Sequence, residues 1–228
     1  TISSGLCFFW GIPASSKWLK SHTSGRTTFQ GADQQPGHSS DPSQGANAIY
    51  PAARLALLVD QVSESLRTEG PFDTDFAPPY STMQVGVITG GAAVNIIPEL
   101  ARLLIETRTI PSEFPEAVMK RVLSALEDVA YLTPGVEANW RELARYPALA
   151  PSHDRSLAER LAKASGRQVV AAVSYGTEAG LFAEAGIPSV ICGPGNIGRA
   201  HRANEYVLQK ELNECRDVLM QIINERCA

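Results

Sequence analysis

One amphipathic pattern constrains the fold of this chain more than any other feature. Between Asn47 and about Thr68, apolar residues recur at steps of three and four, which predicts a helix that Gly70-Pro71 ends. Its apolar stripe consists of Leu55, Val59 (or Leu58), Val62 and Leu66. Such a stripe is stable only when a second layer covers it, so we expect a sheet from the flanking sequence to pack against this helix.

The flanking sequence predicts the strands of that sheet. A short strand is expected around Arg26–Gln30, and another over 81–89 because apolar residues alternate there. The alternating residues, expected on one face, are Met83, Val85 and Val87. Gly90-Gly91 then predicts a turn, and 95–108 predicts an antiparallel, half-exposed partner strand.

A second helix is expected after Pro111, and Thr133-Pro134-Gly135 ends it. Its expected buried stripe comprises Val118, Val122, Ala125 and Val129. A last strand is expected over 136–143. The order strand–helix–strand–strand–helix–strand is that of a ferredoxin-like α+β sandwich with both helices on one face of the sheet. We place this domain at residues 22–145.

From about Pro147 the pattern changes to that of an α/β fold. Helices are expected near 153–165, 178–185 and 208–225, separated by the apolar runs 168–173 and 189–192. Helices that alternate with wholly apolar strands indicate a parallel sheet covered on both faces. Two strands are too few for a stable sheet. Residues 146–228 are therefore expected to be the C-terminal part of a larger α/β domain, and residues 1–21 an atypical remnant of it.

Composition and charge exclude several classes of function. A hydrophobic fraction of 44% and a charged fraction of 19% are typical of soluble globular proteins. The net charge of −4 gives no basic surplus, so we expect neither a nucleic acid nor an anionic membrane as a partner. No apolar run reaches the length of a membrane span. The four cysteines have no paired or zinc-knuckle spacing and predict reduced thiols in the cytoplasm.

The glycine-rich loop 193–198 matches the dinucleotide-binding spacing G-x-G-x-x-G only formally. In that motif the third glycine opens a helix whose amides bind the pyrophosphate. Here a polar stretch follows Gly198, and the helical pattern starts only at about Leu208, so a nucleotide site is not expected. The loop instead leaves an apolar strand at the edge where open α/β sheets bind ligands, and it places His201 there as a candidate metal ligand.

The other three histidines differ in their surroundings. His38 stands in the loop "GHSSDP" at the mouth of the long helix, where it either caps that region or has a functional role. His22 and His153 sit in polar stretches and are expected to be solvated.

Two further segments offer groups that recognise a carboxylate. Gly176 and Thr177 lie at a predicted helix N-terminus, where amide and hydroxyl groups can hold an anion. Asn95 and Arg108 lie in the small domain. Arg108 could pair with Glu106 or another surface acid, or its guanidinium could fork onto a substrate carboxylate.

Four segments in this order resemble the acetylornithine deacetylase branch of the dinuclear-zinc amidohydrolase and metallopeptidase family: "GHSSDPSQGANAI", "GGAAVNIIPELARLLIETRTIP", "YGTEAGLF" and "GIPSVICGPGNIGRAHRANEYV". The resemblance runs from about Gly11 to the C-terminus. It implies a catalytic zinc-peptidase-like α/β domain, interrupted by the ferredoxin-like domain, which serves as a lid and mediates homodimerisation. The family also includes succinyl-diaminopimelate desuccinylases, aminoacylases and carboxypeptidase-G-type enzymes.

The resemblance implies a role for each candidate residue. His201 would be the terminal ligand of one zinc (or cobalt) ion. His38, as a catalytic residue, and Asn95 would reach the partner's active site, where they would stabilise the tetrahedral intermediate and bind substrate. The substrate's carboxylate would be held by Arg108, Gly176 and Thr177. The implied reaction is metal-assisted hydrolysis of a small N-acylated amino acid, with N-acetylornithine in arginine biosynthesis as the favoured substrate.

The start of the chain departs from the family pattern. Ile12 stands where the family has a metal-binding acid, and only His201 matches a metal ligand, whereas zinc needs several. We therefore expect a truncated enzyme that holds no zinc pair and is inactive by itself. The alternatives are a non-catalytic dimerisation or ligand-binding remnant, and a succinyl-diaminopimelate desuccinylase or related peptidase. The segment "YGTEAGLF" favours acetylornithine as substrate.

Overall fold

The computed structural model describes residues 21–31, 37–149, 155–169, 177–200 and 202–227. The chain forms two compact units. The first contains His22–Thr74 and Pro78–Arg145, and the second contains Asp75–Ala77 and Tyr146–Ala228. No helix within the described ranges combines the length and the apolar character that a membrane span requires.

The first unit is a four-stranded sheet with helices packed on it. Its elements are β1 (Ser21–Gly31), α1 (Ile49–Glu69), β2 (Thr82–Gly90), β3 (Leu100–Thr109), α2 (Pro115–Leu123), α3 (Leu126–Tyr131) and β4 (Val136–Tyr146). The strand order across the sheet is β2-β3-β1-β4. The predicted ferredoxin-like arrangement is therefore confirmed.

The core of this unit lies between the sheet and the helices. Helix α1 contacts β2 and β3, α2 contacts β3, and the two helices contact each other, so they cover the same face of the sheet. The predicted stripe of α1 is buried throughout. Every second residue of β3 is buried against it, with Leu103 and Ile105 at the centre. The alternation along β3 arises because successive side chains of a strand point to opposite faces.

A β-bulge changes the faces of β2. The strand pairs antiparallel with β3, and Val85 lies opposite Ile105 whereas Val87 lies opposite Leu104, so Gly86 is the extra residue. Val87 therefore lies on the same face of the sheet as the exposed Leu104, and it is 45% exposed. The prediction that Val87 shares the core face with Val85 is wrong, because one inserted residue exchanges the two faces of a strand.

The second predicted helix is also divided. Residues 115–131 form α2 and α3, separated at Ser124 and Ala125. Ala125 has φ −96° and ψ 0°, which ends the helical backbone. Ala125 is only half-buried, and Leu126 takes its place in the core beside Val122. A continuous stripe through Ala125 was therefore the wrong expectation.

In the second unit, three predicted helices are confirmed as α4 (Ser156–Ser165), α5 (Ala179–Glu184) and α6 (Gln209–Cys227). Helix α4 packs against α6. Of the predicted apolar strands, 170–173 lies outside the described residues, and Ser189–Cys192 is buried with an isolated bridge at Ile191. Gly180 lets α5 pack closely against the backbone at Pro147, since a Cβ at Gly180 would lie 2.1 Å from the carbonyl oxygen of Pro147.

Candidate functional site

Two loops of the first unit bring His38 and Asn95 together. The backbone N–H of Ser39 donates to the carbonyl of Asn95 at 3.0 Å, and that of Ile97 donates to the carbonyl of Gly37 at 2.9 Å. These bonds form an isolated antiparallel bridge between the two loops, and both His38 and Asn95 are exposed. Two of the predicted site residues, far apart in sequence, therefore lie at one solvent-facing corner.

The Asn95 loop is longer than the sequence indicated. A turn was expected at Gly90-Gly91, but β3 begins only at Leu100, and residues 91–99 form a loop. The loop's backbone groups have partners outside the hairpin: besides the bonds to the His38 loop, the carbonyl of Pro98 accepts from the N–H of Ala48 at 2.8 Å. These bonds satisfy backbone groups that a tight turn would have paired within β2 and β3.

The His38 ring is oriented by the turn that follows it. The N–H of Asp41 donates to the His38 carbonyl at 2.9 Å, which closes a β-turn. Inside this turn, Nδ1 of His38 lies 2.9 Å from Oγ of Ser40 and 3.4 Å from its backbone nitrogen. Oδ1 of Asp41 accepts from the N–H of Ser43 at 3.2 Å and caps the short 3₁₀ helix Pro42–Gln44. The motif thus folds on itself and holds the imidazole in place.

A concave surface lies beside these two loops. An open cavity of about 800 Å³ is lined there by residues from both loops and from the start of α1. Among them are Ser39, Asn47, Tyr50, Ile96 and Thr133. Oδ1 of Asn47 accepts from the N–H of Ile49 at 2.9 Å, which anchors the wall of the cavity to the helix.

Arg108 lies at the other end of the β2–β3 hairpin. Eight residues separate it from Leu100, where the Asn95 loop ends, and at about 3.3 Å per residue this is about 26 Å. Its Nε and Nη2 both donate to Oε1 of Glu106, at 3.0 and 2.7 Å. Nε2 of Gln84 donates to the other oxygen of Glu106 at 3.0 Å. The structural alternative, in which Arg108 pairs with Glu106, is therefore observed.

The pairing leaves one edge of the Arg108 guanidinium available. Glu106 takes the Nε–Nη2 edge, and within the described part of the chain Nη1 has no partner. A cavity of about 510 Å³ lies here, and Arg67, Tyr80 and Arg108 are among its lining residues. An Arg guanidinium can bind a second carboxylate through its terminal Nη1–Nη2 edge while the first is retained.

The other predicted carboxylate-binding residues lie at the start of α5. Thr177 is buried, and its Oγ1 accepts from the N–H of Ala179 at 3.1 Å, so the hydroxyl stabilises the helix start. Its hydroxyl proton is still available as a donor. Gly176 and the predicted metal ligand His201 lie outside the described residues.

Arg199 and Glu211 form a charged contact in the second unit, the Arg199–Glu211 clamp, which the sequence did not predict. Glu211, in the first turn of α6, accepts a hydrogen bond from Arg199 with one oxygen and from the N–H of Leu208 at 2.8 Å with the other. The guanidinium of Arg199 also stacks over Tyr206, 4.8 Å from the ring centroid. The hydrogen bond from Arg199, followed by that from Leu208, lowers the pKa of Glu211. One carboxylate thus ties residues 199 and 208, on either side of position 201; only an acid in the first helical turn signalled it.

A zinc ion needs several ligand side chains that lie close together. Within the residues that the structure describes, no group of three or more His, Cys, Asp or Glu side chains could hold a metal ion. The groups described above can form hydrogen bonds and charge pairs.

Comparison with known proteins agrees with this architecture. Residues 18–133 match the peptidase dimerisation domain of the M20 family. An acetylornithine deacetylase of Myxococcus xanthus is 35% identical over 84% of this chain and 50% of its own length. That of Erwinia tasmaniensis is 31% identical over 97% of this chain and 57% of its own length. The chain therefore spans about half the length of the curated relatives that it matches.

A solved structure supports the fold. An amidase of the hydantoinase/carbamoylase family from Burkholderia vietnamiensis superposes with a TM-score of 0.65 at 18% identity, covering 97% of this chain and 54% of the other. Because the dimerisation domain alone matches just over half of the residues, the assignment does not depend on any single motif. The chain belongs to the M20 family of metallopeptidases and amidohydrolases, and it is a relative of the acetylornithine deacetylases.

Proposed function

We propose that this chain supplies the dimerisation surface and the substrate-binding groups of a homodimeric hydrolase that removes an acyl group from an N-acylated amino acid. N-acetylornithine is the substrate that we favour, because the named relatives are acetylornithine deacetylases. Members of the M20 family are generally metal-dependent, and His201 is our candidate for one ligand of zinc or cobalt.

The observation that carries this proposal is the separation of the candidate groups along one hairpin. His38 and Asn95 lie in the loops at one end of the hairpin, where β3 begins at Leu100, and Arg108 lies at the other end, about 26 Å from Leu100. A single acylated amino acid is much shorter than this separation, so the three residues of one chain cannot contact the same substrate molecule. In a symmetric dimer, His38 and Asn95 of one chain can serve the site to which the partner contributes Arg108.

The proposed division of chemistry follows from the donors at each end. His38 and Asn95 present neutral N–H groups, which stabilise the negative charge that develops on the amide oxygen during attack. The free edge of Arg108 can form a bidentate pair with the substrate's α-carboxylate. Binding the carboxylate at one side and the oxyanion at the other orients the scissile amide between them.

Subunit mixing tests this arrangement directly. The chains His38→Ala and Arg108→Ala are each expected to lose tight binding of N-acetylornithine, measured by isothermal titration. After the two chains are mixed and allowed to exchange subunits, half of the dimers are mixed, and each has one intact and one doubly defective site. About a quarter of the wild-type number of tight sites should therefore return.

The matched control is a mixture of His38→Ala with Asn95→Ala. Both residues serve the same partner site, so no mixed dimer contains an intact site and no recovery is expected. Recovery in this control, or none in the first mixture, would contradict the division of residues between subunits. An absence of saturable binding by the unmodified chain would contradict the substrate class.

A non-catalytic role of the 228 residues is the second candidate, because His201 is the one metal ligand among our candidate residues and zinc needs several. Acetate release from N-acetylornithine, with added zinc or cobalt, separates the two. We expect binding without turnover by this chain alone. Turnover with stoichiometric metal that His38→Ala abolishes would establish a complete enzyme instead. A preference for N-succinyl-diaminopimelate in the same titrations would indicate a desuccinylase.

A further inference from the structure

The contacts of the His38 ring identify a neighbour that sets the position of its proton. A backbone N–H can only donate, and the N–H of Ser40 is directed at Nδ1 of His38 with an N···N distance of 3.4 Å. Nδ1 must therefore be the accepting nitrogen. In a neutral imidazole the proton then resides on Nε2. The Ser40 hydroxyl, 2.9 Å from the same nitrogen, acts as a second donor to it.

We propose that Ser40 is a positioning residue for His38. Its two donors hold the imidazole in the tautomer and orientation in which Nε2–H is the outward donor. The inference rests on the proposed function, in which His38 donates a hydrogen bond to the oxyanion. The opposite tautomer would present a lone pair to the negative oxygen and would repel it, so the position of this one proton decides whether the residue can act.

The surroundings of Ser40 support this role. Its hydroxyl contacts His38 and no other residue in the described part of the chain, although Ser40 is exposed and its hydroxyl could simply have pointed into water. Its backbone is fixed on one side by the bond from Ser39 to Asn95 and on the other by the bond from Asp41 to His38. The hydroxyl is thus held on an anchored turn.

On its outer side, Nε2 of His38 has no acceptor among the residues that the structure describes. The described turn therefore occupies Nδ1 and leaves Nε2 available to donate to an acceptor. This asymmetry is what a donor to a ligand requires, because a donor that is already bonded must exchange partners first.

Nitrogen NMR of the histidine rings in the full 228-residue chain tests the proposal. The two ring nitrogens of His38 are assigned by their disappearance in His38→Ala, at about pH 8.5, where imidazole is neutral. In the unmodified chain we expect a protonated Nε2 and a hydrogen-bonded Nδ1. Ser40→Ala should shift the Nδ1 resonance toward the position of an unbonded nitrogen, and Ser40→Thr should restore it.

Ser40→Asp provides the opposite perturbation. A carboxylate can only accept at this pH, so it should favour a proton on Nδ1 against the backbone N–H that residue 40 retains, and it should move the two ring resonances toward each other. Identical His38 resonances in the unmodified, Ser40→Ala and Ser40→Asp chains would overturn the proposal. Failure of the proposed function is seen separately: if the ring resonances respond as expected but His38→Ala binds N-acetylornithine as the unmodified chain does, the orienting contact stands and the role of His38 in the site is refuted.

Discussion

The two units of this chain differ in how their apolar residues are buried. Among the described residues, the first unit has one continuous cluster of sixteen buried side chains between sheet and helices, whereas the second has separate clusters of seven and three. Helix α6 also leaves Leu212, Met220 and Ile223 substantially exposed. The candidate loops of the first unit are therefore attached to one continuous apolar core.

This difference bears on function, because the two groups of candidate residues belong to different units. The loops of His38 and Asn95 are tied to each other and to α1 of the large cluster. Thr177 and the Arg199–Glu211 clamp belong to the unit with small clusters. We expect stability, and the precision of the site, to be unequal between the units.

The largest effect is expected from opening the large cluster. Leu103 and Leu161 are both fully buried, one in each unit, and form a matched pair. Leu103→Ala should lower the free energy of unfolding by about 3–5 kcal/mol, and Leu161→Ala by about 2–3 kcal/mol, because a small cluster can collapse around the cavity more easily. Urea unfolding with hydrogen exchange of peptides from each unit measures both. Equal losses would remove the proposed difference between the two cores.

The next largest loss of stability is expected where a side chain is added at a position of the first unit's sheet that has no space for it. A Cβ at Gly25 would lie 2.1 Å from ring atoms of Trp140, whereas at Gly86 the nearest atom, the Leu104 carbonyl oxygen, is 4.0 Å away. Gly25→Ala should cost about 1–3 kcal/mol and change the tryptophan emission. Gly86→Ala is the control and should stay within about 0.5 kcal/mol. A neutral Gly25→Ala would mean that this core adapts more readily than its packing indicates.

A loss of stability at alkaline pH is expected from a buried thiol in the second unit. Burial, with a smaller contribution from Cys215, raises the pKa of Cys192 to about 11. The folded state therefore holds the thiol proton more tightly than the unfolded state, so stability is complete below about pH 8.5 and declines as pH rises toward 11. We expect a loss on the order of 1 kcal/mol per pH unit in that window. Cys192→Ala should remove this slope; an unchanged slope would assign it to other groups.

The smallest effect on global stability, and the most local one, is expected at the clamp. Glu211→Gln weakens the links to Arg199 and Leu208. Amide exchange should become faster in residues 202–208 while α1 and β3 stay protected. The control is Glu214→Gln, because Glu214 makes only a 3.6 Å surface pair with Lys210. Exchange that increases equally in both variants would show that the clamp does not order this segment.

Short-range patterns in the sequence were sufficient to predict the order of the helices and strands and the buried face of α1. The stripe of Leu55, Val59, Val62 and Leu66 is periodic within one helix, and every member is buried. The bonds that orient the His38 ring and close its turn are equally local, since they join residues two or three positions apart. Features of this kind depend on neighbouring residues, so the amino-acid sequence by itself determines them.

Tertiary structure alone decided where those features meet. Nothing near Asn95 indicates that its carbonyl pairs with Ser39, and the isolated Gly86 within the strand pattern is only a weak signal of the bulge that forms there. The clamp joins Arg199 and Glu211, which are twelve positions apart in the sequence. Each of these contacts joins residues that are brought together only when the sheet and the helices pack. Polar groups then form hydrogen bonds with whichever partners the fold places beside them. The candidate residues were visible in the sequence, but their separation along the hairpin was a property of the fold.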